Sequence, residues 1–213
     1  MSRVREYVEA LLDSERLGPQ VAHRRRLPGA ASRFAQPRRP WPRALAQLLE
    51  ARGLNELYTH QAEALDRVRA GQHVVVATPT ASGKTLTYTL PVLEARLRDA
   101  DAHVLFLFPL KALAQDQLKN LEALAAGLPE AQRPTAAIYD GDTTPYRRKK
   151  LRQDPPNVLL TNPEMLHLSM LPHHETWAAF WSGLTHVVVD EVHTYRGVMG
   201  SHMACVFRRL RRM

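Results

Sequence analysis

A chain of 213 residues, 45% of them hydrophobic, is long enough to bury one sizeable core and to carry a small appendage. Its longest apolar runs are of strand length, too short to span a bilayer, and it lacks the cationic-then-apolar start that marks export. The lone Cys205 excludes an internal disulfide framework and a cysteine-rich zinc site and fits a reducing cytoplasm, while a net charge of +8 favours a polyanionic partner.

Val4, Val8, Leu11 and Leu12 recur at helical spacing, which predicts a short amphipathic helix over 2–12. From 16 to 43 the chain turns basic and proline-punctuated, with Arg24-Arg-Arg26 and Pro37-Arg-Arg-Pro40. Too few apolar positions remain there for independent folding, so the stretch reads as a solvated linker or as an arm lying on nucleic acid or on the core. Residues 42–52 predict a helix with Leu45, Leu48 and Leu49 on one face and Gly53 as its stop. Residues 1–53 are therefore expected to form an N-terminal extension and 54–213 the main domain. In Leu57-Tyr-Thr-His-Gln61, Thr59 can cap a helix over 60–70; the Gln61 amide matches the N6 and N7 edges of adenine, and Tyr58 could stack beside it.

Next comes Ala77-Thr-Pro-Thr-Ala-Ser-Gly-Lys-Thr85, between the apolar run 73–77 and a helical pattern of Leu86, Leu90, Leu93 and Leu97. A strand, a loop of small residues and Gly-Lys-Thr opening a helix is the arrangement that wraps a phosphate. Backbone N–H groups of Thr80, Ala81, Ser82 and Gly83 would face the anion, Lys84 would reach the β- and γ-phosphates, and the Thr85 hydroxyl would ligate Mg²⁺. The usual pattern begins with Gly where this chain has Thr78. The helix after the loop should kink at Pro91.

Short apolar runs recur at 103–108, 135–139, 157–161 and 186–190. With 73–77 they predict five strands apolar on both faces, hence a doubly wound parallel α/β sheet with ligands at the carboxyl ends of its strands. The acidic pair Asp190-Glu191 leaving the last strand is costly unless a cation needs it, which assigns Asp190 to the metal and Glu191 to general base, beside Lys84. Phe108-Pro-Leu-Lys111 opens a helix whose free N–H groups and Lys111 could hold another phosphate. Thr161-Asn-Pro-Glu164 is a strong helix start with Asn162 at the cap, and Tyr139-Asp-Gly-Asp-Thr143 is a tight turn that presents backbone and a hydroxyl. Together these form a row of anion-binding positions along one sheet edge, suited to a polynucleotide backbone. Arg147-Arg-Lys-Lys150 reads equally as a DNA contact or as an exposed helix face. His173-His174 reads as a solvated loop and Cys205 as a packed residue.

Taken as an ordered set, these motifs resemble the first RecA-like motor domain of the superfamily 2 DEAD/DEAH-type helicases. Gln61 resembles the adenine-reading Q motif, 78–85 motif I, 109–113 motif Ia, 161–164 motif Ib, and Asp190 to His193 motif II. Leu57-Tyr-Thr-His-Gln61, Thr-Ala-Ser-Gly-Lys-Thr85, Tyr-Asp-Gly-Asp-Thr143 and Asp-Glu-Val-His-Thr-Tyr-Arg-Gly197 are similar to the MrfA (YprA-like) DNA-repair helicases and their fungal relatives. The resemblance implies an ATP- and Mg²⁺-dependent 3′-to-5′ translocase on single-stranded or tailed DNA, cytoplasmic and nucleoid-associated when on DNA. It implies that Pro109, Lys111, Gly141, Thr143, Thr161 and Asn162 meet the strand and that His193 couples nucleotide state to a neighbouring domain. No motif III, second RecA-like domain, arginine finger or C-terminal cysteine module follows, so the chain is expected to be a piece of the motor that binds nucleotide with little turnover. Two other readings stay open on the residues: an RNA helicase or remodeller motor, and a non-motor nucleic-acid-binding protein on the same fold.

Overall fold

The computed structural model describes residues 3–25, 31–79 and 82–213. The chain divides into two compact units, Met1–Arg33 and Phe34–Met213. In the first, α1 (Arg3–Leu12) forms as its periodicity predicts and is followed by a single 3₁₀ turn at Gly18–Gln20.

The second unit holds β1 (Phe34–Ala35), α2 (Arg43–Ala51), β2 (Leu57–Tyr58), α3 (Thr59–Arg69), α4 (Thr85–Arg98), β3 (His103–Leu107) and α5 (Lys111–Ala125). It continues with β4 (Ala136–Tyr139), α6 (Pro145–Gln153), β5 (Val158–Thr161), α7 (Pro163–Met165), α8 (Ala178–Ser182), β6 (Leu184–Val189) and α9 (Gly197–Leu210). The boundary thus falls at 33/34 and not at 53/54. The reason lies in α2, whose Leu45, Leu48 and Leu49 are buried in one cluster with Leu65, Leu93 and Phe106 of the main domain.

The main sheet is parallel throughout, in the order β4-β5-β3-β6, and β1 and β2 pair separately as an antiparallel ribbon. Successive residues of β3 point to opposite faces. Val104 and Phe106 join the layer of α2 to α5, while Leu105 and Leu107 pack with Tyr139, Leu166, Met170, Trp177 and Phe180 on the other side. Both faces are covered by helices, which is the doubly wound α/β architecture that the apolar runs predict.

Four predicted strands are present and the fifth is not. Residues 73–79 take no regular structure, and Val75 is 83% exposed. They line a cavity of about 350 Å³ with His60, Glu63, Ala64 and Arg67. An apolar run becomes a strand only where a strand edge takes up its backbone groups, and among the described residues this run pairs with none. Double burial likewise holds only for the inner strands. All of β3 and β5 is buried, whereas β4 and β6, at the edges, alternate or stay half exposed.

α4 runs through Pro91 without a break. It is tied to α3 by a buried ion pair, Arg69 Nε to Glu94 Oε2 at 2.8 Å, with both side chains 4% exposed. Trp41 lies under the same guanidinium, 4.7 Å from its ring centre, and Arg98 closes on Glu94 Oε1 at 2.7 Å. Cys205 is exposed on α9, because Met203 and Val206 take the inward face. No helix of the described residues is long and apolar enough to cross a membrane.

Candidate nucleotide and nucleic-acid sites

The loop before α4 is closed on itself. Thr78 Oγ1 and Ser82 Oγ share a hydrogen bond of 2.6 Å, which gives the Thr at the position of the usual Gly a local role. Lys84 Nζ donates to the carbonyls of Thr78 and Pro79, both at 2.9 Å, so the ammonium already sits where the loop bends back. Gly83 has φ +76°, the left-handed region in which a side chain would be strained, and a Cβ there would meet Gln61 Nε2 at 2.6 Å. Thr80 and Ala81 lie outside the described residues.

Gln61 is buried, and both ends of its amide are engaged. Its Oε1 accepts from Tyr58 N–H at 2.9 Å, and its Nε2 donates to the Gly83 carbonyl at 2.8 Å. Tyr58 is therefore the cap residue and Thr59 the first helical one, and Gln61 reaches back to accept the N–H of the cap residue itself. Tyr58 itself is stacked between Phe34, at 5.2 Å, and His60, at 5.7 Å.

Asp190 follows β6 and donates its N–H to Leu107 O of β3. Its Oδ1 accepts from Glu191 N–H at 2.8 Å, and its Oδ2 accepts from the Tyr88 hydroxyl at 3.2 Å. Tyr88 stands one turn after Thr85 on α4, so the phenol that bonds Asp190 belongs to the helix start expected at Mg²⁺. Burial first, then the Asp190 charge, raises the Tyr88 pKa well above 10.0. The same two causes push Tyr195 up to about 12, and its hydroxyl is buried without a partner. Glu191 is the one described non-glycine residue with positive φ, at 50°, which stores on the order of 1 kcal/mol of strain at the turn carrying the acid pair. Its Oε2 faces His193 Nδ1 at 3.2 Å.

The row at the carboxyl ends of β3, β4 and β5 also assembles. Phe108, Lys111, Asp140, Thr161 and Asn162 line one small cleft. Lys111 Nζ meets Asp142 Oδ2 at 2.6 Å, and that bond raises the Lys111 pKa further. The hydroxyls expected on the strand are occupied locally. Thr161 Oγ1 donates to Tyr139 O at 2.5 Å and is buried, Thr143 Oγ1 accepts from Asp140 N–H, and Asn162 Oδ1 caps α7 through Met165 N–H. Pro109 is half-buried between β3 and α5, and Gly141 is exposed at the turn. What this edge offers a phosphate chain is thus backbone and cations more than hydroxyls.

The sequence pattern of the DEAD/DEAH box helicases matches residues 58–213. The chain belongs to that family. It is 46% identical over 179 residues to the ATP-dependent helicase YprA of Bacillus subtilis, covering 82% of this chain and 24% of that protein. It is 35% identical over all 213 residues to the ATP-dependent helicase HRQ1 of Saccharomyces cerevisiae, of which it covers 19%. It superposes with a TM-score of 0.81 and 43% identity on the crystal structure of helicase MrfA bound to DNA and AMPPNP, covering 86% of this chain and 25% of that one. The chain therefore spans a quarter or less of the length of these relatives.

Membership in the DEAD/DEAH box helicases implies nucleotide use, and the donor set fits a nucleotide with a divalent cation: an ammonium at a glycine-kinked loop, a threonine at a helix start, and a carboxylate bonded to Tyr88 of that same helix. Sequence reasoning missed Tyr88, although its place three residues after Thr85 puts it on the same helix face. It also missed Phe34, which sits 24 positions before Tyr58 in the sequence and reaches it only through the β1–β2 pairing.

Proposed function

We propose that this chain is the nucleotide-binding part of an ATP-dependent DNA helicase motor. The observation that supports the reading is the tie between α4, the helix that Thr85 opens directly after Lys84, and Asp190 at the end of β6, made by the Tyr88 hydroxyl at 3.2 Å. Lys84 and the loop amides would hold the β- and γ-phosphates, Thr85 and Asp190 would hold Mg²⁺, and Glu191 would take a proton from the attacking water. The cation lowers the charge barrier at the γ-phosphate when bound. Tyr58 and Gln61 would contact the base once Gln61 exchanges its present bonds.

The DNA strand would run along Pro109, Lys111, Gly141, Thr143, Thr161 and Asn162, and His193, beside Glu191, would report nucleotide state to a second RecA-like domain. Similarity to MrfA, whose solved structure is bound to DNA and AMPPNP, supports DNA as substrate, while 3′-to-5′ movement and a role in repair rest on the resemblance of the motifs. With one RecA-like domain, the chain alone binds nucleotide and turns it over little.

The test is binding of a fluorescent ATP analogue to the wild type and to Lys84→Ala, with DNA binding measured in parallel. Loss of nucleotide binding with DNA binding retained is the expected result. Equal binding by the variant overturns the motor reading, and a preference for RNA over DNA moves it to an RNA remodeller. In a longer chain with the second domain, Glu191→Gln should abolish DNA-stimulated hydrolysis.

A further inference from the structure

The nine residues of α6, Pro-Tyr-Arg-Arg-Lys-Lys-Leu-Arg-Gln, contain five cations and no acid, and Leu151 is the one buried residue among them. Arg148, on the inward side, is consumed by structure. Its guanidinium donates to Thr143 O at 2.8 Å, Asp140 O at 3.0 Å and Gly141 O at 3.3 Å, and it lies 5.5 Å from the centre of the Tyr139 ring. Those contacts pin the helix to the Asp140–Thr143 turn. The outward side is different in kind. Arg147, Lys149 and Lys150 are exposed and have no ion-pair partner among the described residues. Tyr146 stands at i−3 and i−4 from the two lysines, on the same helix face, and is 80% exposed.

A merely solvated helix face on this protein looks otherwise. On α3, Glu63 and Arg67 neutralise each other at i,i+4 with an N–O distance of 2.8 Å. On α6 the cations repel at i,i+3 and i,i+4 with nothing to offset them, a cost that a polyanion relieves. Cations flanking an exposed ring match phosphates flanking a base. The helix itself adjoins the candidate strand row, since the turn that Arg148 holds carries Asp142 to Lys111.

We propose that the outward face of α6 is a second single-strand subsite, in which Tyr146 stacks a base while Arg147, Lys149 and Lys150 neutralise the neighbouring phosphates. This rests on the reading that the chain binds a nucleic-acid strand, and it adds a longer footprint to that reading.

Fluorescence anisotropy of the 213-residue chain with oligothymidylates of roughly 6 and roughly 16 nucleotides, across a salt series, tests both. The triple variant Arg147→Ala, Lys149→Ala, Lys150→Ala should lower the salt slope on the longer strand by about 2. Tyr146→Ala should weaken the longer strand by about 5- to 100-fold, leave the shorter one unchanged and be rescued by Tyr146→Trp. If Lys111→Ala weakens both lengths while the α6 variants match the wild type, the subsite is overturned and the strand reading stands. If the wild type binds neither strand, the strand reading falls and takes the subsite with it. Loss of binding to anionic vesicles, with strand binding untouched, overturns the subsite in favour of a membrane-facing role.

Discussion

Tyr88 shows how one hydroxyl can organise a site that its neighbours would otherwise leave loose. Its ring packs edge-on to Phe106 at 5.4 Å, and its hydroxyl donates to Asp190 Oδ2 at 3.2 Å, which ties α4 to the end of β6. Tyr88→Phe keeps the ring and removes the link, so folding should be retained. The Mg²⁺ needed for half-maximal binding of a fluorescent ATP analogue should rise, by about fivefold if the bond is worth roughly 1 kcal/mol. A titration of Mg²⁺, or of Mn²⁺ by electron paramagnetic resonance, checks this without any turnover. Gln61 is the companion case. Gln61→Glu keeps the acceptor for Tyr58 N–H but sets a second oxygen against the Gly83 carbonyl. Nucleotide affinity should therefore suffer more than the urea midpoint, whereas Gln61→Ala should lower the midpoint as well, by about 1 kcal/mol of stability. Residue types alone pointed to the chemistry proposed for Lys84, Asp190 and Glu191, because an ammonium on a small-residue loop and paired acids after an apolar run have few structural uses. They could not reveal that Gln61 is already bonded at both ends, since a side chain's partners depend on how far apart in space the chain brings 58 and 83.

Between elements, the bond that sets α3 against α4 is ionic and buried. Removing one partner, as in Arg69→Met, leaves Glu94 with Arg98 alone and should cost about 3–5 kcal/mol, read as a drop in the urea midpoint. Joint replacement by Met and Leu should recover most of that loss. A second expectation concerns β6. Burial first, and then the Arg98 charge, hold His186 below its ordinary 6.5. A depressed imidazole favours the neutral form in the fold, so its contribution is present above pH 6.5 and is lost as acid is added below it. The melting temperature should fall on that side, and His186→Gln should flatten the fall. Helices α1, α2 and α5 and the cap at Asn162 were legible, since leucine spacing and capping chemistry act within one element. The domain boundary was not, because Leu45, Leu48 and Leu49 say that a face is buried and not what buries it.

For the molecule as a whole, four of five strands and both helical layers follow from apolar runs, while the run at 73–77 shows the limit of that signal. Strand composition is necessary for a ladder, but a free neighbour decides whether one forms. β6 has β3 on one side and no described strand on the other, with Val187 39% exposed. An open edge of this kind invites pairing between molecules, and Val187→Lys should reduce self-association seen by light scattering at high concentration. The same edge bears on the chemistry. Asp190 hangs from a ribbon fastened along one border only, so amide deuteration should reach β6 well before β5, and the carboxylate proposed for the metal rides on an edge strand. A bound nucleotide, by gripping Thr85 and Asp190 together, would then slow that deuteration from the top of the strand downward.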